Sequence, residues 1–368
     1  MKHCVLHTEW SDGWGGQERR IINEMAGMQA RGHTVWLATR PQARIAREAR
    51  ARGIRVETLP FAGKFHLPTI AGLVRLIRRE GVKIVDTHSG IDSWAGGLAA
   101  KWAGVALVRT RHLNNPLRRH PFNFVHYLPD RVVACGEEMR RHLVEGCGFP
   151  SEQVVSIPTG IDFGRFRASE ERASVRSRIG VAEGDWVVLM VGIIRSVKRH
   201  ELALEAMTRL LPELPAMRLV LAGDGPRMEA MRELARKLGI ADRVIFLGHR
   251  DDVPDLLTAA DAFLLTSRSE GVPQAVTQAL GCGLPVVATR VGGVPELVIH
   301  ERTGLLAEAE DVVGIARALL RLAHDPVLAM RLGAAGREHV HRHFSLDAML
   351  DATERLFDEI TSGAGGRV

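Results

Sequence analysis

The chain has 368 residues, of which 46% are hydrophobic and 25% charged, and its net charge is +6. One hydrophobic core stops growing at about 250–300 residues, so this length favours two domains. No apolar run reaches the roughly 18 residues of a membrane-spanning helix, and the first residues lack a secretory signal, so we expect a cytoplasmic protein. The four cysteines are too scattered for a disulfide framework or a cysteine zinc cluster.

The first half of the chain alternates short apolar runs with amphipathic stretches. Such alternation is typical of a parallel sheet with helices on both faces. Predicted helices include Gln17–Arg31, Leu67–Gly81 and Ser93–Ala103. The predicted strands are Cys4–Thr8, Val35–Thr39, Arg55–Leu59, Ile84–His88, Ala106–Thr110 and Val132–Cys135.

A glycine pair separates the first predicted strand from its helix. Gly15 and Gly16 permit close backbone approach and a positive φ. They form either a simple turn or, as we prefer given the second half of the chain, a loop that approaches a phosphate. The dinucleotide-binding fingerprint is incomplete, because Glu18 stands where its third glycine is required.

Histidines follow two of the predicted strands. Ligands of open parallel sheets bind beyond the carboxyl ends of the strands, so His88 and His112 could reach a ligand. Either histidine could instead have a purely structural role as a hydrogen-bonding residue. The structural role is favoured more strongly for His88 than for His112.

Basic residues are concentrated in residues 31–83, which hold twelve Lys or Arg and three acids. Such a face attracts anionic lipid or nucleic acid, or is a solvated arginine-rich surface. Aromatic residues make up only 5% and form no stacking motif among the basic ones, which argues against nucleic acid. A second basic cluster consists of Arg109, Arg111, Arg118 and Arg119.

The strand–helix series restarts in the second half, after Ile157–Asp162 and the charged stretch Arg165–Gly184, which we interpret as a linker. We therefore predict an α/β fold of two tandem, Rossmann-like, doubly wound domains with a cleft between them. Their bounds are residues 1–160 and 161–345, followed by a C-terminal helical segment, 346–368. The predicted strands are Val187–Val191, Leu219–Ala222, Val244–Leu247, Ala262–Thr266 and Val286–Ala288.

Residues 269–296, SEGVPQAVTQALGCGLPVVATRVGGVPE, form the most informative stretch. They predict a loop, a helix with Pro273 in its first turn, a buried strand and a glycine turn. The free N–H groups of a helix start bind anions, and the Glu270 carboxylate beside them suits sugar hydroxyls or positive charge at an anomeric carbon. Gln278 could hydrogen-bond ribose, and Arg195 and Lys198 are suited to a diphosphate.

A metal site is not expected. His339, His341 and His343 look like a metal tract, but helical spacing turns His341 away from the other two. No Asp-x-Asp sequence occurs that could clamp a metal diphosphate.

Taken in order, these motifs resemble glycosyltransferase family 4, which has the GT-B fold of two Rossmann-like domains. The resemblance is densest over residues 186–310. Its landmarks are the Lys198 segment, Leu221–Pro226, Phe246–Gly248, Asp261–Ser267, Glu270–Glu296 and Thr303–Leu306, with Gly15, Gly16, His112 and Ile157–Asp162 in the first half.

The resemblance implies a retaining, metal-independent transfer of a sugar from a nucleotide diphosphate sugar, with no other cofactor. It assigns the reaction centre to Glu270, His112 and Lys198, and the tail helix to the N-terminal domain. The family often has Glu at Gln278 and Arg at Ile193, so donor use could differ here. The residues expected to bind the donor are Gly15, Gly16, Arg195, Lys198, Gly271, Val272 and Gln278.

We expect the acceptor to be a glycan or a lipid-linked glycan in bacterial lipopolysaccharide or envelope polysaccharide synthesis. The enzyme would work in the cytoplasm at the inner face of the membrane, with no nucleic-acid partner. The open alternatives are a nucleotide-sugar epimerase or sugar phosphorylase of the same fold, and a silent nucleotide-sugar binding protein.

Overall fold

The computed structural model describes residues 1–112, 117, 120–164 and 166–363. Arg118 and Arg119 of the second basic cluster lie outside these residues. The chain forms two compact units, one of Met1–Gly160 with the C-terminal helix and one of Ile161–Ser345. Among the described residues, none of the helices combines the length and apolar character needed to cross a bilayer.

The first unit contains a seven-stranded parallel sheet with the order β3-β2-β1-β4-β5-β6-β7. Its helices cover both faces of the sheet, which explains why the strands are apolar on both sides. The strands are β1 (Cys4–Glu9), β2 (Thr34–Thr39), β3 (Arg55–Thr58), β4 (Ile84–Thr87), β5 (Ala106–Arg111), β6 (Arg131–Ala134) and β7 (Val154–Ser156). The helices are α1 (Gly16–Ala30), α2 (Arg44–Ala51), α3 (Leu67–Glu80), α4 (Gly90–Ala103) and α5 (Glu137–Arg141), which continues as a π turn over His142–Gly146.

The second unit contains a six-stranded sheet with the order β10-β9-β8-β11-β12-β13. The strands are β8 (Trp186–Val191), β9 (Met217–Ala222), β10 (Val244–Gly248), β11 (Ala262–Leu265), β12 (Val286–Thr289) and β13 (Leu305–Ala307). The helices are α6 (Arg172–Arg178), α7 (His200–Leu210), α8 (Met228–Lys237), α9 (Val253–Ala259), α10 (Gln274–Gly281), α11 (Val294–Leu297), α12 (Val312–His324) and α13 (Pro326–His343).

The C-terminal helix α14 (Leu346–Gly363) packs on α1 of the first unit. Its apolar face, with Met349, Leu350 and Phe357, is buried in the same core as α1. At its polar edge, Arg31 Nη1 donates to Asp351 Oδ1 at 2.6 Å. The last helix of the chain is therefore part of the first unit.

Strand order reverses once in each sheet, between β1 and β4 and between β8 and β11. At this position the loops after the two neighbouring strands run in opposite directions and leave a crevice between them. Ligands of open parallel sheets bind in this crevice. In the first unit the loops after β1 and β4 carry Gly15 and His88. In the second unit the loops after β8 and β11 carry Lys198 and Glu270.

Candidate functional site

Two glycines let the loop after β9 pack closely against the loop after β8. A Cβ on Gly223 would lie 1.9 Å from the Gly192 carbonyl oxygen, and one on Gly225 would lie 2.4 Å from that of Ile194. The Ile194 N–H donates to the Asp224 oxygen at 2.9 Å across this contact. The glycines of Leu221–Pro226 thus hold the loop that carries Arg195 and Lys198.

Lys198 and Glu270 form an ion pair at the point where the strand order of the second sheet reverses. Lys198 Nζ donates to Glu270 Oε1 at 2.6 Å, with the two side chains 18% and 11% exposed. Ser267 Oγ donates to the same carboxylate oxygen. Thr266 Oγ1 donates to the Lys198 carbonyl at 2.9 Å. The carboxylate and the ammonium are therefore held together and still open to a ligand.

The glycine turn after β12 supports the backbone around Glu270. A Cβ on Gly292 would lie 1.9 Å from the Glu270 carbonyl oxygen. The Gly293 N–H donates to the Gly271 oxygen at 3.0 Å. Among the described residues, the N–H groups of Gly271 and Val272 donate no hydrogen bond, so they are available to an anion. The arrangement offers a carboxylate, an ammonium and free N–H groups side by side.

The α10 helix begins one residue later than the sequence predicts. Pro273 is its N-cap in an extended conformation, and Gln274 is the first helical residue. Gln278 is half-buried one turn further on, on the same side as Gln274. Arg195 is exposed beside Ile193, which is 56% exposed where the family often has Arg.

The glycine loop of the first unit has an extended backbone where it enters α1. Gly15 is the N-cap of α1 with φ −136°, and neither Gly15 nor Gly16 uses the positive φ that a glycine permits. The Gly15 N–H already donates to Glu18 Oε2 at 2.7 Å. The carboxylate of Glu18 therefore accepts a hydrogen bond from one of the N–H groups at the start of α1. Because Gly15 and Gly16 have no side chains, a ligand can still come close to the backbone there.

Ser89, at the start of α4, contacts the buried carboxyl groups of both Glu9 and Asp92. Its Oγ lies 2.8 Å from Glu9 Oε1 and 2.6 Å from Asp92 Oδ1. A hydroxyl donates only one hydrogen, so each contact has its own proton only when one of the two carboxyl groups is protonated. Burial and the nearby Asp92 raise the pKa of Glu9 to about 7. Glu9 also accepts a hydrogen bond from the Ser11 N–H at 2.8 Å, which ties the loop after β1 to the start of α4.

Three histidines lie in a row in the first unit. His7 Nδ1 is 3.0 Å from His88 Nε2, and His88 Nδ1 is 3.1 Å from His112 Nε2. The row ends at Cys135, whose Sγ is 3.6 Å from His112 Nδ1. Burial lowers the pKa of His7 to about 3 and holds the pKa values of His88 and His112 well below the ordinary range.

The inner part of this row has ligand atoms at metal-site spacing. One atom each of His7, Asp86 and His88 lies within 4.8 Å of the others, and all three residues are buried. Sequence spacing did not reveal this group. By contrast, His339 and His341 contact the backbone carbonyls of Glu296 and Gly281, at 2.8 and 3.2 Å.

Sequence reasoning identified Lys198 and Glu270 but missed the residues that hold them. Ser267 and Thr266 stand inside the motif Asp261–Ser267, so their contact with the site could have been inferred from that motif. His7 and Glu9 had no such signal, because both lie within β1, where alternate polar residues usually indicate a solvated face.

Two family models match the chain, one in each unit. Residues 14–165 match Glycosyltransferase Family 4, and residues 171–339 match Glycosyl transferases group 1.

Curated relatives agree with these models. The chain is 36% identical to a D-inositol 3-phosphate glycosyltransferase of Geodermatophilus obscurus, over 92% of this chain and 83% of that protein. It is 31% identical to an N-acetyl-alpha-D-glucosaminyl L-malate synthase of Bacillus anthracis, over 57% of this chain and 55% of the synthase. It is 37% identical to the lipopolysaccharide core biosynthesis glycosyltransferase LpsD of Rhizobium meliloti, over 46% and 49%. The chain thus spans about half the length of the last two relatives.

Solved structures share the fold over almost the whole chain. A glycosyltransferase from Rickettsia africae superposes with a TM-score of 0.90 at 21% identity, covering 98% of this chain and 99% of that one. Anabaena HepE in complex with UDP superposes with a TM-score of 0.86 at 21% identity, covering 98% and 100%. With the family models and the Geodermatophilus relative, these likenesses show that the chain belongs to glycosyltransferase family 4 and has the GT-B fold.

Proposed function

We propose that this protein is a retaining glycosyltransferase that moves a sugar from a nucleotide diphosphate sugar to a glycan or lipid-linked acceptor. The observation that carries the proposal is the Lys198–Glu270 pair beside the free N–H groups of Gly271 and Val272. A cationic, N–H-rich surface suits a diphosphate, and a carboxylate next to it suits a sugar.

The chemistry follows from where charge develops. As the nucleoside diphosphate leaves, negative charge grows on its phosphates, and fixed donors placed there lower the barrier. We assign this role to Lys198, Arg195 and the N–H groups of Gly271 and Val272. Glu270 faces the donor sugar, where its carboxylate stabilises positive charge at the anomeric carbon. Gln278 is assigned to the ribose, Gly15 and Gly16 to the diphosphate, and His112 to the sugar.

The acceptor is proposed from the relatives. LpsD acts in lipopolysaccharide core biosynthesis, and another relative is an alpha-1,3-galactosyltransferase that acts on a diphosphoundecaprenol-linked sugar. Both names support an envelope glycan, free or lipid-linked, as the acceptor class here. Such an acceptor would place the enzyme at the inner face of the cell membrane.

The first test is a thermal-shift screen against UDP, GDP, ADP, CMP and their common sugar conjugates, with and without EDTA. A ligand at about 100 times its dissociation constant stabilises by about 2.7 kcal/mol, which a melting curve detects. We expect a shift with one nucleotide that EDTA leaves unchanged. Formation of a glycosidic bond supports transfer, whereas an epimerised nucleotide sugar or a sugar phosphate supports the rival activities, and no shift at all contradicts the proposal.

The Glu270→Gln variant tests the reaction centre. Loss of the carboxylate should lower turnover by roughly 10²-fold or more while nucleotide binding remains, because the charge acts mainly in the transition state. The Glu308→Gln variant is the matched control, since Glu308 pairs with Arg290 at 2.9 Å outside this site. A silent binding protein would show no turnover in any variant and lose affinity at most.

A basic and aromatic surface on the first unit supports membrane association. Trp102 is 68% exposed at the end of α4, next to the arginines of α3. Indole rings and guanidinium groups both favour the phosphate level of a bilayer. Ala71, Val74, Arg75, Arg78, Arg79 and Trp102 line a groove of about 580 Å³ there.

Vesicle flotation tests this surface. The protein should bind phosphatidylglycerol vesicles at low salt, leave them at high salt, and ignore phosphatidylcholine vesicles. Because each basic residue contributes about 1 kcal/mol, Arg75→Glu with Arg78→Glu should weaken binding by about 10-fold or more. Arg232→Glu with Arg236→Glu on α8 is the control. If the protein does not bind anionic vesicles at low salt, the proposed membrane association is wrong.

A further inference from the structure

The histidine row of the first unit connects its core with the residue that we assign to the donor sugar. His7 lies in β1, His88 follows β4 and His112 follows β5, so three separate parts of the chain supply the imidazoles. The His7 and His88 rings are nearly parallel, with centroids 5.3 Å apart and planes 10° apart. The His88 and His112 centroids are also 5.3 Å apart.

All three imidazoles are neutral at pH 7, because burial lowers the pKa values of all three and nearby positive groups, including Arg20 and Arg109, lower those of His88 and His112 further. A neutral imidazole has one N–H donor and one bare nitrogen acceptor. Each ring in the row therefore donates in one direction only, and the two hydrogen bonds must run the same way.

Two directions are possible, and they give His112 opposite chemistry. In the outward direction His7 Nδ1–H donates to His88 Nε2, and His88 Nδ1–H donates to His112 Nε2. His112 then carries its proton on Nδ1. In the inward direction His112 Nε2–H donates to His88, and its Nδ1 is a bare acceptor. The direction decides whether His112 offers a donor or an acceptor at Nδ1.

The inner end of the row favours the outward direction. His7 Nε2 is buried, and no hydrogen-bond partner for it exists among the described residues. The inward direction would place an N–H there, and buried N–H groups without an acceptor are rare in folded proteins. The outward direction leaves only a lone pair. Cys135 Sγ lies 3.6 Å from His112 Nδ1, but a thiol is only a weak hydrogen-bond donor, so this contact does not outweigh the cost of an unpaired buried N–H.

We propose that His7 and His88 are positioning residues that hold His112 as the Nδ1–H tautomer, so that it presents a hydrogen-bond donor to a hydroxyl oxygen of the donor sugar. The proposal rests on the proposed function for its last step, the contact with the sugar. The tautomer itself is a property of the protein without ligand. Without ligand, Cys135 Sγ is the atom that faces His112 Nδ1, at 3.6 Å.

A metal ion at the inner end is incompatible with this row. Asp86 Oδ2 lies 3.8 Å from His7 Nδ1 and 3.7 Å from His88 Nε2. An ion bound by these three atoms would need the lone pairs of both nitrogens and would remove the proton that they share. Metal content therefore tests the proposal independently.

The deciding experiment is a long-range ¹H–¹⁵N spectrum of the full chain labelled with ¹⁵N-histidine, recorded without ligand at pH 7 and assigned with single variants. Protonated and bare ring nitrogens differ widely in ¹⁵N shift. We expect His112 and His88 each to carry the proton on Nδ1. A proton on Nε2 of His112 overturns the proposal, whether or not the chain is a transferase.

Variants then test the cause. In His88→Ala the Nδ1–H form of His112 should no longer be the main tautomer. Turnover should fall about 10-fold or more, as it does when the hydrogen-bond partner of a metal-binding histidine is removed. Nucleotide affinity should stay unchanged. His88→Asn, whose amide N–H replaces Nδ1–H, should restore both. His126→Ala is the control, because His126 is also buried in this unit. A tautomer unchanged in His88→Ala overturns the proposal.

The remaining outcomes separate this inference from the proposed function. If His112 shows the expected tautomer but no nucleotide sugar is turned over, the proposed function is wrong. The inference that His7 and His88 set the tautomer of His112 is then still supported. If turnover is present and insensitive to His88, the role at the sugar is overturned. Stoichiometric Zn²⁺ in the purified protein, whose removal changes the spectra of His7 and His88, also overturns it.

Discussion

At the scale of single residues, the raised pKa of Glu9 makes the stability of the first unit depend on pH. The pKa of Glu9 is raised to about 7, against about 4.3 for an exposed glutamate. Between these values the folded state binds more protons than the unfolded state, so the stability that the neutral group provides decreases as the pH rises.

We therefore expect the free energy of unfolding of the wild type to fall between about pH 5 and pH 7 through this group. In Glu9→Gln the side chain cannot ionise, and that part of the slope should disappear. Urea unfolding at several pH values measures it, with Glu48→Gln as the control because Glu48 is a surface partner of Arg44. An unchanged slope would contradict a proton held at Glu9.

At the scale of elements, the turn between β12 and α11 packs against the backbone of Glu270 and Gly271 and holds it in place. Gly292 has φ +49°, and a Cβ there would meet the Glu270 carbonyl oxygen at 1.9 Å. The obstacle is backbone, which cannot rotate away as a side chain can. The turn and the Glu270 segment must therefore move apart when a side chain is added.

Gly292→Ala should destabilise the second unit by about 2 kcal/mol or more and weaken nucleotide binding, because it displaces Glu270 and Gly271. Denaturant midpoints and nucleotide-induced melting shifts measure the two effects. Gly184→Ala serves as the comparison, since a Cβ there meets no atom within 4 Å. Equal behaviour of the two variants would argue against a supporting role of the turn.

At the scale of the whole molecule, the last helix belongs to the first unit although residues 161–345 separate it from the rest of that unit. Its buried face includes Phe357, which is 1% exposed. Charged contacts add to this, since Glu354 accepts a hydrogen bond from Arg31 Nη1 at 2.7 Å. Stability of the first unit thus depends on α14.

Phe357→Ala should cost about 3–5 kcal/mol, because it leaves a cavity between α14 and α1. Hydrogen exchange should show lost protection in the strands and helices of residues 1–160 and little change in those of 161–345. Met330→Ala is the control, as Met330 is 68% exposed. Equal loss of protection in both units would mean that α14 stabilises the chain as a whole.

The pattern of apolar runs predicted the two parallel α/β sheets, and this prediction is confirmed. The short outer strands Val154–Ser156 and Leu305–Ala307 were missed, because three residues carry too little periodicity to be recognised. The glycine pair permitted several backbone conformations, and only the structure shows that Gly15 serves as an extended N-cap.

The sequence by itself determined the repeated strand–helix order, the family, and Lys198 and Glu270 as candidates, because local periodicity and ordered motifs carry this information. Only the tertiary structure decided that Lys198 pairs with Glu270, that Ser89 joins Glu9 to Asp92, and that three histidines form a row. The physical reason is strand order. A parallel sheet places β1 beside β4 and β8 beside β11, so side chains about 70 to 80 residues apart in sequence become hydrogen-bond partners.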